Sequence, residues 1–240
     1  MNQIRFFFES NEQGRYVDVL TNSSFISGAV VSQNAGSTNS DIYYQVGGGG
    51  LNGVFERALG PQQVVRVNNE LKISYDAKFG EGRWAKDSKE PPSPLPLTSL
   101  LVPVEAGNSC IGMMYSVGPM LTRDGLGAPA EMERYTQIYA DAMHEIAQKG
   151  SEVYGFRITM LSSGFYRGGA PLDAFADAAA GCIIDAVCAS VVAHPLALSK
   201  LAILINTDRH ATFPIELNGF TNAATARGAT ITSSGFILQC

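Results

Sequence analysis

The sequence VGGGGLNGVFERALG, at residues 46–60, is the most informative stretch of this chain. The four glycines at 47–50 predict a loop, because glycine loses the most conformational freedom in a helix or a strand. A helical pattern begins directly after them and ends at Gly60 and Pro61. A helix N-terminus next to a glycine loop offers free N–H groups to an anion such as a phosphate. Glycines alone also fit a strand-to-helix turn that binds nothing. The apolar residues that set the helical spacing are Leu51, Val54, Phe55 and Ala58.

Composition excludes several classes of protein. The chain has 240 residues, of which 45% are hydrophobic and 16% are charged, so it can bury a sizeable core. Its net charge of −5 argues against nucleic acid or an anionic membrane as the main partner. No apolar run approaches about 18 residues, so no membrane span is expected. The four cysteines show no metal-ligand spacing, which predicts no metal site and reduced core thiols in a cytoplasmic protein, or in one that a pathogen delivers to a host cytosol. No cofactor is expected.

Strand and helix patterns alternate along the chain. Helices are predicted after the glycine loop, at 129–148, and from Pro171 onward. A polar loop is expected from Ser32, after the short strand at 29–31. This alternation predicts one domain over residues 1–240, a three-layer α/β/α sandwich with a mixed central sheet. It would include a Pro-rich surface excursion at 86–96, and the tail at 217–240 has no assignable pattern. The predicted strands lie at 4–9, 15–20, 29–31, 63–67, 71–75, 100–104, 110–117, 152–161 and 201–205.

Three loops are expected to meet at one edge of the sheet. They are the loop that carries Asn34, the glycine loop, and the loop at 162–169, and two of them run into helix N-termini. Ligands of α/β sheets lie beyond the carboxyl ends of the strands. Two such loops at one edge suit a ligand with two phosphates and sugars, and they favour nucleotide-like binding over an empty turn.

Four motifs, in the same order, resemble those of macro domains, the family that binds ADP-ribose. AVVSQNAGS resembles the family's strand and Asn-bearing loop, and VGGGGLNGVFERALG resembles its glycine element. MMYSVGPML and ITMLSSGFYRGGAPLDAFADAAA resemble the later strand ending in VGP and the diphosphate loop with its helix. The resemblance covers most of residues 17–208 and implies ADP-ribose or an ADP-ribosylated protein as the partner.

The resemblance also implies which residues contact each part of the ligand. Adenine would be contacted by Asp18 and Asn206, and the distal ribose by Asn34. The remaining positions would contact that ribose, the diphosphate and the sugars next to it. These positions are Gly48, Gly49, Gly50, Asn52, Ser162, Ser163, Gly164, Phe165 and Tyr166.

Two positions bear on catalysis. Hydrolytic members often carry an Asp after the glycines, but this chain has Asn52, which cannot take a proton from water at neutral pH. The poly(ADP-ribose) glycohydrolase branch has paired glutamates, but only Glu56 is present here, at a shorter spacing. The resemblance implies hydrolysis at the distal ribose, with Asn52 and Glu56 as candidate catalytic residues and Glu56, Asp41 or a substrate phosphate as the base, although Asn52 itself favours a protein that only binds. A reader that binds ADP-ribose without cutting it is the alternative, and a domain with a degenerate pocket is a third.

Overall fold

The computed structural model describes residues 2–9, 19–36, 51–80, 98–105, 109–119, 121, 129–163, 167, 169–206 and 213–240. Within these residues there are eight β-strands and four α-helices. The strands are β1 Gln3–Glu9, β2 Ala29–Gly36, β3 Ser99–Pro103, β4 Cys110–Val117, β5 Val153–Ile158, β6 Ala202–Asn206, β7 Thr230–Thr232 and β8 Gly235–Gln239. The helices are α1 Leu51–Phe79, α2 Pro129–Gln148, α3 Leu172–Ala193 and α4 Phe213–Ala226.

The eight described strands form one mixed sheet in the order β3-β4-β2-β5-β6-β1-β8-β7. The strands from β4 through β1 in that order are parallel, whereas β3 pairs antiparallel with β4 and β8 pairs antiparallel with β1. The carboxyl ends of β2, β4, β5, β6 and β1 therefore lie at the same edge of the sheet. We refer to this edge as the carboxyl edge.

Helices cover both faces of the sheet. One core cluster contains the buried sides of α2, α3 and α4, and the other contains the buried side of α1 with Val19 and Leu20. Apolar burial on both faces provides most of the driving force for folding. The predicted three-layer α/β/α sandwich with a mixed sheet is confirmed.

The structure corrects the sequence prediction after Gly60. That residue leaves the helical conformation, with φ 72° and ψ 165°, but the chain resumes a helix at Pro61 and continues to Phe79. The strands predicted at 63–67 and 71–75 are therefore wrong. The buried side chains of this segment recur every three or four residues, which is the period of a helix and not of a strand. They are Val64, Val67, Leu71 and Tyr75.

Strand β2 is longer than predicted. The polar loop expected from Ser32 is wrong, because the strand continues through Gly36 between β4 and β5. Two of its polar side chains, Ser32 and Gln33, make hydrogen bonds that allow their burial at the centre of a sheet. Of the strand predicted at 15–20, Val19 and Leu20 form a turn and the rest lies outside the described residues. The predicted excursion at 86–96 lies outside them too.

The C-terminal tail, which the sequence left unassigned, completes the sheet. It contributes the end of α4 and the hairpin of β7 and β8, and Phe236 stacks on Phe6 with ring centroids 4.4 Å apart. A disulfide joins Cys188 on α3 to Cys240. The expectation that all cysteines are reduced thiols is therefore wrong for this pair, whose 52-residue separation hid it in the sequence.

Helix α3 corrects the expectation about apolar runs. Among the described helices it alone has the length and composition of a membrane span, with a mean hydropathy of 1.8 over its most apolar window. Of that window, 56% is buried inside the protein, where α3 packs against α2 and α4. This burial is typical of a central core helix.

Candidate functional site

Three predicted site residues lie at the carboxyl edge of neighbouring strands. Asn34 lies near the end of β2, Ser162 follows β5, and Asn206 is the last residue of β6. Because β5 pairs with both β2 and β6, the fold brings these positions to one region of the edge. Of the three loops predicted to meet at this edge, the structure describes Asn34 and Ser162 there, with Asn34 inside a strand, whereas the glycine loop lies outside the described residues.

The amide of Asn34 is the most unusual polar group in this region. Its side chain is fully buried, and Nδ2 donates to Met113 Sδ at 3.5 Å, a weak bond. Its Oδ1 accepts no hydrogen bond within the described part of the chain. A buried acceptor without a donor costs about 1–3 kcal/mol, so such groups are rare and need an explanation. A ligand hydroxyl that donates to Asn34 Oδ1 would supply one.

The loops after β4 and β5 are joined at the same edge. Ser162 Oγ donates to the carbonyl of Pro119 at 2.7 Å. Ser162 has a φ of 62°, a left-handed conformation that is uncommon for residues other than glycine. A Cβ on Gly118 would come within 2.9 Å of Ser162 Oγ, so a larger residue there would force this hydroxyl to move. The strained backbone is therefore held by a specific contact between the two loops.

Two tyrosines of α2 support the chain after β5 from within the core. Tyr139 Oη donates to the carbonyl of Thr159 at 2.5 Å and accepts from the N–H of Leu161 at 3.0 Å. Tyr135 Oη donates to the carbonyl of Leu161 at 2.9 Å. Burial raises the pKa of both phenols above the ordinary range, so they remain neutral donors. The loop start is thus fixed by side chains that the sequence identified only as apolar helix positions.

A chain of buried amide and hydroxyl groups crosses β2, β4 and β3 and reaches Thr159 just after β5. Gln33 Oε1 accepts from the N–H of Thr159 at 3.1 Å, and Gln33 Nε2 donates to Ser116 Oγ at 3.0 Å. Ser116 Oγ lies 2.7 Å from Ser99 Oγ, which donates to the carbonyl of Ile138 at 2.9 Å. Gln33 therefore has partners at both ends of its amide, in contrast to its neighbour Asn34.

A buried ion pair lies between the ends of β1 and β5. Arg157 Nε donates to Glu9 Oε2 at 2.6 Å, and Nη2 donates to Glu9 Oε1 at 3.2 Å. The arginine also binds the turn after residue 18, because Nη1 donates to the carbonyl of Val19 at 3.0 Å and Nη2 to that of Thr21 at 3.2 Å. The sequence analysis missed this pair. Arg157 within the apolar strand VYGFRI was the available signal, because an arginine is almost never fully buried without partners.

The candidate catalytic residues lie on α1. Asn52 and Glu56 occupy its first two turns, four residues apart and hence on one face of the helix. Helix α1 packs against β2 and β3, on the face of the sheet that carries Met113 and the buried Asn34 side chain. Ser163 follows Ser162 and is half-buried. Seven predicted ligand contacts lie outside the described residues, namely Asp18, Gly48, Gly49, Gly50, Gly164, Phe165 and Tyr166.

Several solved structures that share this architecture are macrodomains. A variant of the Oceanobacillus iheyensis macrodomain is 14% identical, with a TM-score of 0.55, over 94% of this chain and 100% of that one. The same macrodomain solved with ADP is 14% identical with a TM-score of 0.55, over 88% of this chain and 90% of that one. The Trypanosoma brucei macrodomain in complex with ADP is 14% identical with a TM-score of 0.53, over 90% of this chain and 68% of that one.

No family profile matches the chain, and no curated protein matches it either. At 14% identity the structural likeness concerns the fold alone. The chain therefore has the macrodomain fold, as its four sequence motifs imply, in a divergent form.

Proposed function

We propose that this protein binds ADP-ribose at the carboxyl edge of its sheet. The observation that carries the proposal is the buried Oδ1 of Asn34, which accepts no hydrogen bond from any described residue. A distal ribose hydroxyl that donates to it would give this buried oxygen a hydrogen bond, which contributes to the affinity for ADP-ribose.

The likeness to macrodomains solved with a nucleotide supports the proposal for the ADP part of ADP-ribose. Two of the three macrodomain structures compared above were solved with ADP, which ADP-ribose contains. In the proposed complex, backbone N–H groups at Ser162, Ser163 and Gly164 hold the diphosphate, and Asp18 and Asn206 contact adenine. Backbone donors suit a chain with a net charge of −5, because they bind a diphosphate without a basic surface.

Calorimetric titration with ADP-ribose, ADP and AMP tests the proposal. ADP-ribose is expected to bind at least tenfold more tightly than ADP, because ADP has no distal ribose whose hydroxyl could donate to Asn34 Oδ1. Equal affinities for ADP and ADP-ribose would contradict the assignment of Asn34 to the distal ribose. The absence of saturable binding by all three would contradict the proposal as a whole.

Hydrolysis of an ADP-ribose derivative is the second candidate function. The observation that favours it is the position of Asn52 and Glu56 on one face of α1, the helix that packs against β2. In this reaction a water molecule forms a bond to the anomeric carbon of the distal ribose, and the bond to the substrate oxygen breaks. Asn52 would orient the water, Glu56 would accept its proton, and the leaving oxygen would take up a proton.

Incubation with a mono-ADP-ribosylated protein separates an enzyme from a reader. If the protein is a hydrolase, free ADP-ribose accumulates, and Glu56→Gln slows its release at least a hundredfold with little change in ADP-ribose affinity. Binding without release supports the reader. Release that is unaffected by Glu56→Gln would remove this residue from the reaction.

A further inference from the structure

Two histidines face each other at the amino edge of the sheet, which lies opposite the carboxyl edge. His144 is near the carboxyl end of α2, and His194 is the C-cap of α3. Their ring centroids are 6.0 Å apart, and the ring planes are inclined by 56°. Helix α2 ends before β5 begins and α3 ends before β6 begins, so the two rings lie far from Asn34 and the candidate site. We call His144 and His194 the histidine pair.

The spacing of the two rings suits one metal ion held between them. A tetrahedral zinc ion binds imidazole nitrogen at about 2.0–2.1 Å, which places the centres of two rings that share the ion about 5 Å apart. The observed 6.0 Å is slightly larger than this distance. His144 is exposed and His194 is half-buried, so a small rotation of the two side chains brings a nitrogen of each to the same point.

The backbone beneath both rings is held in place. The N–H of His194 donates to the carbonyl of Ser190 at 2.8 Å, and its carbonyl accepts from the N–H of Leu198 at 3.0 Å. His144 follows Met143, which is fully buried in the core beneath α2. Ligands whose backbone is already fixed lose less conformational freedom when they bind an ion.

The surroundings of the histidine pair favour a cation. The carboxyl end of a helix carries a partial negative charge, and here the carboxyl ends of α2 and α3 lie side by side. The Nε2 of His144 lies 3.3 Å from Nε2 of Gln148, and both side chains are exposed. A metal ion displaces this contact at little cost, because the Gln148 amide is then hydrogen-bonded by water.

We propose that His144 and His194 together bind one divalent transition-metal ion. Imidazole nitrogen suits zinc, nickel and copper, whereas magnesium and calcium prefer oxygen ligands. Among the described residues no group of three or more His, Cys, Asp or Glu side chains could hold a metal ion, so water completes the coordination. The bound ion joins the carboxyl ends of α2 and α3. The sequence gave no sign of this site, because the two histidines are distant in the chain and form no local motif.

Calorimetric titration with zinc chloride and with magnesium chloride tests the proposal. Zinc is expected to bind with one ion per chain, and magnesium is expected to show no saturable binding over the same concentrations. His144→Gln and His194→Gln should each weaken zinc binding at least tenfold. The double variant should lose no more than either single variant, because one ion needs both rings.

The melting temperature provides a second measurement. Zinc at a hundred times its dissociation constant should raise the melting temperature of the unmodified protein by about 5–10 °C, because only the folded chain brings the two rings together. The two single variants should melt close to the unmodified protein without metal, since His144 is exposed and His194 is half-buried. They should show no increase at the same zinc concentration.

Cys182→Ser is the matched control. Cys182 is a half-buried free thiol on α3, and sulfur is the other ligand that zinc favours. This variant is expected to keep both the zinc affinity and the increase in melting temperature. Loss of zinc binding in Cys182→Ser would overturn the assignment to the histidine pair.

Three other results would also overturn the proposal. They are unchanged zinc affinity in either single histidine variant, losses in the single variants that add up in the double variant, and a stoichiometry of one zinc per two chains. The test is independent of the proposed function, because ADP-ribose affinity is expected to be the same in the histidine variants as in the unmodified protein. A protein that binds zinc in this way but not ADP-ribose would contradict the proposed function and support the metal site.

Discussion

Replacing Asn34 by leucine is expected to stabilise the protein and weaken its ligand. The buried Oδ1 of Asn34 lacks a donor among the described residues, and its Nδ2 has only the weak bond to Met113 Sδ at 3.5 Å. Removing an unsatisfied buried acceptor recovers about 1–3 kcal/mol, and leucine has the same branching and the same number of side-chain heavy atoms as asparagine. After the loss of the weak bond we expect a gain of about 1–2 kcal/mol in the free energy of unfolding.

Gln33→Leu is the matched control, because the neighbouring amide is fully partnered. Its removal deprives the Thr159 N–H of an acceptor at 3.1 Å and Ser116 Oγ of a donor at 3.0 Å. A loss of about 2–4 kcal/mol is expected, since buried groups without partners cost about 1–3 kcal/mol each. Two substitutions of the same type, one residue apart, should thus change stability in opposite directions.

Urea denaturation and calorimetry on the same preparations check both expectations. ADP-ribose should bind Asn34→Leu with an affinity reduced by about 1–3 kcal/mol, which is roughly 5- to 150-fold. ADP should bind it as it binds the unmodified protein, since ADP has no distal ribose. The reasoning is refuted if Asn34→Leu is less stable than the unmodified protein and binds ADP-ribose with unchanged affinity.

Three other substitutions test the supports of the site. Arg157→Met is expected to cost about 3–5 kcal/mol in urea denaturation, because it leaves the Glu9 carboxylate buried without its cation, and adding Glu9→Leu should restore most of that loss. Gly118→Ala places a Cβ within 2.9 Å of Ser162 Oγ, so ADP-ribose affinity measured by calorimetry should fall at least tenfold, and adding Ser162→Ala should restore part of it. Burial raises the pKa of the Tyr139 phenol in the folded protein. As the pH rises above about 10, the phenol therefore loses its proton in the unfolded chain before it does so in the folded protein. Stability should therefore fall above that pH by up to about 1.4 kcal/mol per unit, and less steeply in Tyr139→Phe, as urea denaturation at pH 9–11 would show.

The elements with a clear period were predictable from the sequence. The helix at Pro129–Gln148 has the predicted bounds, because one face of it is apolar throughout and Gly150 follows it. The strands β1, β3, β4 and β6 lie within one or two residues of their predicted positions. Their apolar runs are short and are bounded by polar or glycine-containing segments, which leaves little choice of structure.

The parts of the fold that were not predicted from the sequence depend on contacts between distant residues. Ser32 and Gln33 suggested a loop, yet they lie in β2 because their partners come from Val19, Ser116 and Thr159. The helix after Pro61 was obscured by a kink at Gly60, whose positive φ interrupts an otherwise helical segment. Partners of this kind come from distant parts of the chain and leave no local pattern.

Part of the candidate site was predicted from the sequence, because the four motifs occur in the same order as in macro domains. Asn34, Ser162 and Asn206 reach one edge of the sheet because the strands that precede them are neighbours. The groups that support the site, among them Arg157 and the α2 tyrosines, were not identified. Buried hydrogen bonds can be predicted from an arginine inside an apolar strand and from tyrosines on a buried helix face. The sequence does not show which residues are their partners.

The structure of the protein with bound ADP-ribose is the most direct test of the proposed function. We predict that a hydroxyl of the distal ribose lies at about 2.5–3.0 Å from Asn34 Oδ1, which is hydrogen-bond distance. The diphosphate should lie beside Ser162 at the carboxyl edge of β5. ADP-ribose bound elsewhere on the protein, or bound at this edge with Asn34 Oδ1 still lacking a donor, would contradict the proposal.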